Sequence, residues 1–171
     1  MNRHTYRQVL GHFATGVVIV TAATVPGPVG LSINSFTAVS LEPPLVGFFP
    51  AVTSRSWPAI EQVGAFCVNM LGVDQEPLAH RFAGAVADRF AGVGWRPAPM
   101  STAPVLDGVI AWIDCALESV SPAGDHLFVT GRVTAAGLRA ENDPLVFAHG
   151  RYRRLAPDGW GGPDGSGFAD G

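Results

Sequence analysis

The sequence predicts a mainly β protein, an antiparallel barrel with helices packed on its outside. Short apolar runs follow one another closely, each bounded by proline or glycine turns. Helical periodicity is confined to a few short segments, and no strand-helix-strand rhythm of the kind that builds a parallel sheet occurs. In addition, the stretch from Gly30 to Pro44 reads as a strand whose alternation slips part-way, the mark of a bulge or sharp bend.

Thr5 to Phe13 predicts a short helix capped by Thr5, with Tyr6, Val9, Leu10 and Phe13 on one face that would lie against the sheet and Gly16 ending it. Val17-Val-Ile-Val-Thr21 is a continuous β-branched run, as expected of a strand buried on both faces. Val25-Pro-Gly-Pro28 turns the chain into an antiparallel partner strand from Gly30. There Leu31 and Ile33 are apolar at odd positions and Phe36 and Ala38 at even ones, so the phase slips at Asn34-Ser35. Asn34, Ser35, Thr37 and Ser40 place small polar groups around the bend, which suits a ligand-binding strand. The plainer reading is that Asn34 and Ser35 satisfy only the bulge's own backbone groups.

Leu45 to Phe49 predicts the next strand. Ser54 or Ser56 can cap a helix with Pro58 in its first turn and Gly64 at its close. Two hydroxyls, the Arg55 guanidinium and free N–H groups would converge there on a phosphate, although a simple cap with a solvated arginine uses the same residues. Phe66 to Leu71 is a strand, and Asp74 caps a helix containing Leu78 and Phe82 that ends near Gly84. Residues 87–104 read as a long ordered loop of the kind that covers a site. From Leu106 to Glu118 odd apolar positions alternate with Trp112, Asp114, Ala116 and Glu118 in a half-exposed pattern. Pro122 to Asp125 turns this strand into His126 to Val133, and Leu145 to Ala148 is the last strand. One domain over 1–155 is expected, followed by a Gly/Asp/Pro-rich tail over 156–171 with too little apolar surface to order.

Bulk properties narrow the function. With 171 residues and 17.9 kDa the chain can bury a core without staples. Eleven basic against 14 acidic residues give −3, with no basic block to track a phosphate backbone, so nucleic acid is excluded as a partner. Cys67 and Cys115 lie in apolar runs without metal-ligand spacing, and no histidine pair suits a metal; they are read as buried thiols. No signal-peptide core or membrane-length apolar run is present, which predicts no membrane association and a cytoplasmic location. A hydrophobic content of 47% with 15% charged residues predicts a homodimer that covers part of the surface.

In order along the chain stand Leu10-Gly-His-Phe-Ala-Thr-Gly-Val17, Asn34-Ser-Phe-Thr-Ala-Val-Ser-Leu-Glu-Pro-Pro44, Ser54-Arg-Ser-Trp57, Phe66-Cys-Val-Asn69, Phe82-Ala83, Asp88-Arg-Phe90 and Gly124-Asp-His126. Through this ordered set the chain resembles the flavin reductase-like family, whose members are FMN-binding split barrels and often the reductase component of two-component flavin monooxygenases. The resemblance implies that Asn34, Ser35, Phe36, Thr37 and Ser40 line the isoalloxazine and ribityl chain, largely through backbone and hydroxyl groups. It implies a phosphate cradle at Ser54, Arg55 and Ser56, and an approach to the flavin by Phe82, Ala83, Arg89 and Phe90. Gly124, Asp125 and His126 resemble the NAD(P)H-binding turn, with His126 positioning the nicotinamide; otherwise His126 would be an exposed residue at a strand start. Similar proteins build each flavin site at a subunit interface.

The implied chemistry passes a hydride from the nicotinamide of NADH or NADPH to FMN or FAD, for which a barrel needs to position two cofactors and needs no triad or metal. The implied function is an NAD(P)H:flavin oxidoreductase that hands reduced flavin to a separate monooxygenase. The alternative is a flavin-binding or electron-carrier barrel without turnover, which would not need the turn at Gly124 to His126.

Overall fold

The computed structural model describes residues 2–139 and 142–155, so the tail over 156–171 lies outside the described residues. The chain runs α1 (Arg3–Gly11), β1 (Thr15–Gly16), β2 (Val18–Ala22), β3 (Val29–Ile33), β4 (Thr37–Leu41), β5 (Pro44–Phe48), α2 (Trp57–Val63), β6 (Ala65–Met70), a 3-10 turn at Val73–Gln75, α3 (Glu76–Ala83), β7 (Trp95–Pro97), β8 (Pro104–Leu106), β9 (Ala111–Ala123), β10 (His126–Leu138), β11 (Val146–Ala148) and β12 (Arg151–Arg153).

Seven strands form one antiparallel sheet in the order β3-β2-β6-β9-β10-β5-β4. Consecutive strands β3 and β4 therefore sit on its opposite edges. Laid flat, such a sheet would separate them by roughly 29 Å at about 4.8 Å per strand. The short link from Ile33 to Thr37 can reach only about 14 Å at ~3.5 Å per residue. The sheet must curl until its edges meet at that link, which makes a barrel split along the β3/β4 seam. The predicted bulge at Asn34-Ser35 is thus a full break between two strands; the shift within β4 falls further on, between Ala38 and Ser40.

Both faces of β2 are buried, as its β-branched run predicts. Val18 and Val20 face Phe48, Phe66 and Val129, with Trp57 and Ile60 of α2 closing that cluster. Val17 and Ile19 pack on the other side with Ala79 and Phe82 of α3 and Val105 and Leu106 of β8. Each of these fully buried large side chains contributes about 1.5–3 kcal/mol. Gly30 lets α3 come close, because a Cβ there would sit 2.7 Å from the Phe82 ring.

Several expectations are corrected. Helix α1 is capped by Asn2, whose Oδ1 accepts from the His4 N–H, and it ends at Gly11. None of its residues is buried: Tyr6, Val9, Leu10 and the following Phe13 are 50 to 75% exposed. Helices α2 and α3 already pack on the sheet, one in each of the two clusters, and the predicted packing of α1 on the sheet does not occur within one chain. Asp74 lies in the 3-10 turn, and Gln75 precedes α3; Gln75 Oε1 accepts from Gly72 N–H. The expected loop over 87–104 contains the β7–β8 hairpin. That hairpin covers β9, so Asp114 is buried rather than exposed, and Trp112 is buried beside it. Asp114 Oδ2 accepts from the Met100 and Ser101 N–H groups. Both cysteines are buried and unpaired. Burial, followed by the charge of Asp114, pushes the Cys115 thiol up to about 12.

Candidate active site

A cavity of about 1370 Å³ opens where the β3/β4 link, the start of α2, the end of α3, α1 and the β9–β10 turn meet. Of the predicted site residues, Asn34, Ser35, Ser54, Arg55, Ser56, Phe82, Ala83, Arg89, Asp125 and His126 line it. Phe36, Thr37, Ser40, Phe90 and Gly124 do not. The chain leaves the cavity as it starts β4: Phe36 packs against the Val18 cluster, Thr37 Oγ1 donates to the Ala38 carbonyl, and Ser40 pairs with Leu45. Phe90 instead buttresses Phe82 edge-on at 5.0 Å. Gly124 makes the turn between paired Ala123 and His126, where its φ of 68° favours a residue without Cβ.

Ser35 is held by the barrel itself. Its Oγ accepts from the Phe49 N–H at 3.0 Å and lies 3.4 Å from the Phe49 carbonyl, so it ties the strand break to the end of β5. Ser54 Oγ accepts from the Trp57 N–H at 3.2 Å and supplies the side-chain cap of α2. Ser56 makes no such cap bond and receives Arg89 instead.

Arg89 is the most constrained group. Nη1 donates to Ser56 Oγ at 2.5 Å and to the Gly30 carbonyl at 2.9 Å, and Nη2 to the Gly84 carbonyl at 2.8 Å. Its Nε is buried without a hydrogen-bond partner. Burial, and then the neighbouring Arg55 guanidinium, push Arg89 below the ordinary arginine value. An anchored guanidinium with an unpartnered Nε–H, and a second guanidinium near enough to disfavour its charge, suit an anion.

At the β9–β10 turn, which pairs with the residues just before Ser54 through Ala51 opposite His126 and the Val52 N–H donated to the Asp125 carbonyl at 3.1 Å, His126 Nδ1 lies 2.7 Å from Asp125 Oδ1. The hydrogen bond and charge of His126 hold the Asp125 carboxyl below the usual carboxylate range. An ionised Asp125 fixes the proton on Nδ1 and leaves Nε2 available to a ligand. Arg3, Arg7 and Tyr6 of α1 also line the cavity, as do Ser32 and Phe49. Attention to the apolar face of α1 misses the two arginines, although their four-residue spacing is the available signal. Among the charged residues lining the cavity, four arginines face one carboxylate, against a chain charge of −3.

A family model described as the flavin reductase like domain matches residues 10–156. The chain belongs to the flavin reductase-like family. Among curated relatives, the reductase subunit HsaB of a flavin-dependent monooxygenase from Rhodococcus jostii is 48% identical over 90% of this chain and 78% of its own length. A nitrilotriacetate monooxygenase component B homologue from Mycobacterium thermoresistibile superposes with a TM-score of 0.90 at 42% identity, over 94% of this chain and 90% of that one. An NADH:FAD oxidoreductase from Streptomyces globisporus, solved with NAD and FAD fragments, gives 0.87 at 35% identity over 92% and 95% of the two chains. The split-barrel class expected from the sequence is thereby established for this member of the flavin reductase family. The residues of its cavity also fit a phosphorylated flavin, because the orphaned Nε and the paired guanidinium groups of Arg89 and Arg55 lack an anion of their own.

Proposed function

We propose that this flavin reductase binds FMN or FAD and NADH or NADPH in the one cavity, transfers a hydride between them and releases the reduced flavin to a separate monooxygenase. The observation that carries this reading is that one large cavity is lined both by a cluster of guanidinium and hydroxyl groups, Ser54, Arg55, Ser56 and Arg89, and by the hydrogen-bonded pair Asp125 and His126. Its 1370 Å³ exceeds the usual range of about 300–1,000 Å³ for one small ligand, and so leaves room for two.

The bound flavin would supply the hydride acceptor. Arg55, the Ser54 hydroxyl and the Arg89 fork hold its phosphate, with Ser56 fixing the fork. The Asn34-Ser35 link, pinned through Phe49, presents backbone to the ring. His126, oriented by Asp125, positions the nicotinamide through Nε2. The protein's contribution is orientation and exclusion of water, which lowers the barrier without a catalytic acid or metal.

Transfer to a monooxygenase is supported by the relative that is itself a monooxygenase reductase subunit. The half-exposed apolar face of α1 supports a homodimer that covers it and completes the cavity wall. Residues 1–155 form the functional domain. Two unpaired buried thiols and the nicotinamide donor support work in the cytoplasm; no described helix is long and apolar enough to cross a membrane. A flavin carrier without turnover would have no use for the Asp125–His126 pair. Steady-state oxidation of NADH and NADPH with added FMN or FAD tests the proposal: consumption well above the enzyme-free rate is expected, and none with any pairing would overturn it.

A further inference from the structure

We infer that Arg3 and Arg7 of α1 form a second anion station on the cavity wall, one that takes the diphosphate bridge of a dinucleotide. The inference rests on the reductase reading above and assigns a role that reading does not need. Arg3 and Arg7 stand one helical turn apart, so both guanidinium groups share the side of α1 that lines the cavity with Tyr6. They precede the segment 10–156 that the family model matches.

Three further observations favour a phosphate-bearing ligand. Among the described residues, neither arginine has a carboxylate within ion-pair distance, although the chain carries 14 acidic residues. Every one of the 11 basic residues is an arginine, and four of them gather on this one cavity; the planar guanidinium fork matches phosphate oxygens in pairs. Helix α1 is also fixed at its far end, where the Gly11 carbonyl accepts from the His149 N–H at 2.6 Å and the His12 ring meets His149 edge-on at 4.4 Å.

The position of Arg3 adds direction. Its charge is felt by Asp125, as a weaker influence behind His126, which places the start of α1 beside the β9–β10 turn. A mononucleotide flavin has one phosphate, and Arg55 with Arg89 suffices for it. FAD carries one further phosphate, joined to the first as a diphosphate, and NAD(P)H brings a diphosphate of its own; a second guanidinium pair supplies what those need.

The test compares mononucleotide and dinucleotide ligands on the full chain and on the double variant Arg3→Gln/Arg7→Gln. Equilibrium affinities are measured for FMN, FAD, the reduced nicotinamide dinucleotide that the wild type oxidises, and reduced nicotinamide mononucleotide. A loss of about tenfold for a dinucleotide, with both mononucleotides unchanged, is expected from the removed charge-assisted contacts. A loss confined to FAD assigns the diphosphate to the flavin, and a loss confined to the nicotinamide dinucleotide assigns it to the donor. Arg3→Lys/Arg7→Lys should recover most of the affinity, and an unchanged melting temperature excludes a folding defect. Equal affinities for all four ligands, or parallel losses for mononucleotides and dinucleotides, would overturn the inference. A wild type that oxidises no nicotinamide with any flavin would defeat the reductase reading instead, a separate outcome read from the wild type alone.

Discussion

Arg89 Nη1 bridges the Ser56 hydroxyl and the Gly30 carbonyl, joining the segment after α3 to the start of α2 and to β3. Losing the guanidinium therefore has two effects. Arg89→Ala should weaken FMN by tenfold or more, given about 1.5–3 kcal/mol for a hydrogen bond to a charged group, and should lower the melting temperature. Arg55 makes no hydrogen bond among the described residues, so Arg55→Ala should weaken FMN without the thermal loss. Riboflavin, which lacks the phosphate, should be affected much less by either change. Equal losses for FMN and riboflavin would move the phosphate elsewhere.

His126 sits 2.7 Å from Asp125 at the turn into β10. His126→Ala should raise the apparent KM for the nicotinamide more than it weakens flavin affinity. Asp125→Asn should do the same to a smaller degree, because it frees the ring without removing it. Equal effects on both reactants would contradict the role.

Ser35→Ala leaves the Phe49 N–H without its acceptor. A cost of about 1 kcal/mol is expected, equivalent to a drop of roughly 2–4 °C in Tm for a domain of this size. Flavin affinity should fall with it, because the Asn34-Ser35 link lines the cavity. An unchanged Tm in a thermal melt would show that Ser35 does not pin the link.

Asn69 is wholly buried on β6, accepting from the Leu106 N–H at 2.8 Å and donating to the Pro104 carbonyl at 3.1 Å. It fastens β8, and with it the hairpin that covers Asp114, to the barrel. Asn69→Leu should cost about 1–3 kcal/mol through the orphaned backbone groups. The denaturant midpoint should fall accordingly, with FMN affinity unchanged below the transition. A midpoint equal to that of the wild type would refute the clamp.

What the sequence reveals and conceals follows from how local the signals are. The run Val17 to Thr21 announces a strand buried on both faces because each residue carries that information itself. The phase slip at Asn34-Ser35 is equally visible, but a bulge and a strand break look alike locally; only the sheet order, with β3 and β4 on opposite edges, separates them. For the same reason local polarity does not tell where the chain leaves the cavity: Thr37 and Ser40 continue the polar stretch but lie in β4, outside the cavity lining. Asp114 falls on an alternating pattern that predicts exposure, and a hairpin 8 to 19 residues upstream buries it. Short motifs with local hydroxyls, such as Ser54 to Ser56, are legible, whereas Arg3 and Arg7 join the cavity only through the placement of α1.

Anaerobic mixing of the protein with FMN and the preferred nicotinamide, followed by absorbance of both, tests the central claim most directly. The account predicts that flavin colour is lost one for one with nicotinamide oxidation, far faster than without protein, and that His126→Ala slows this at low nicotinamide and recovers at high. Flavin that binds but keeps its colour at the protein-free rate would contradict it.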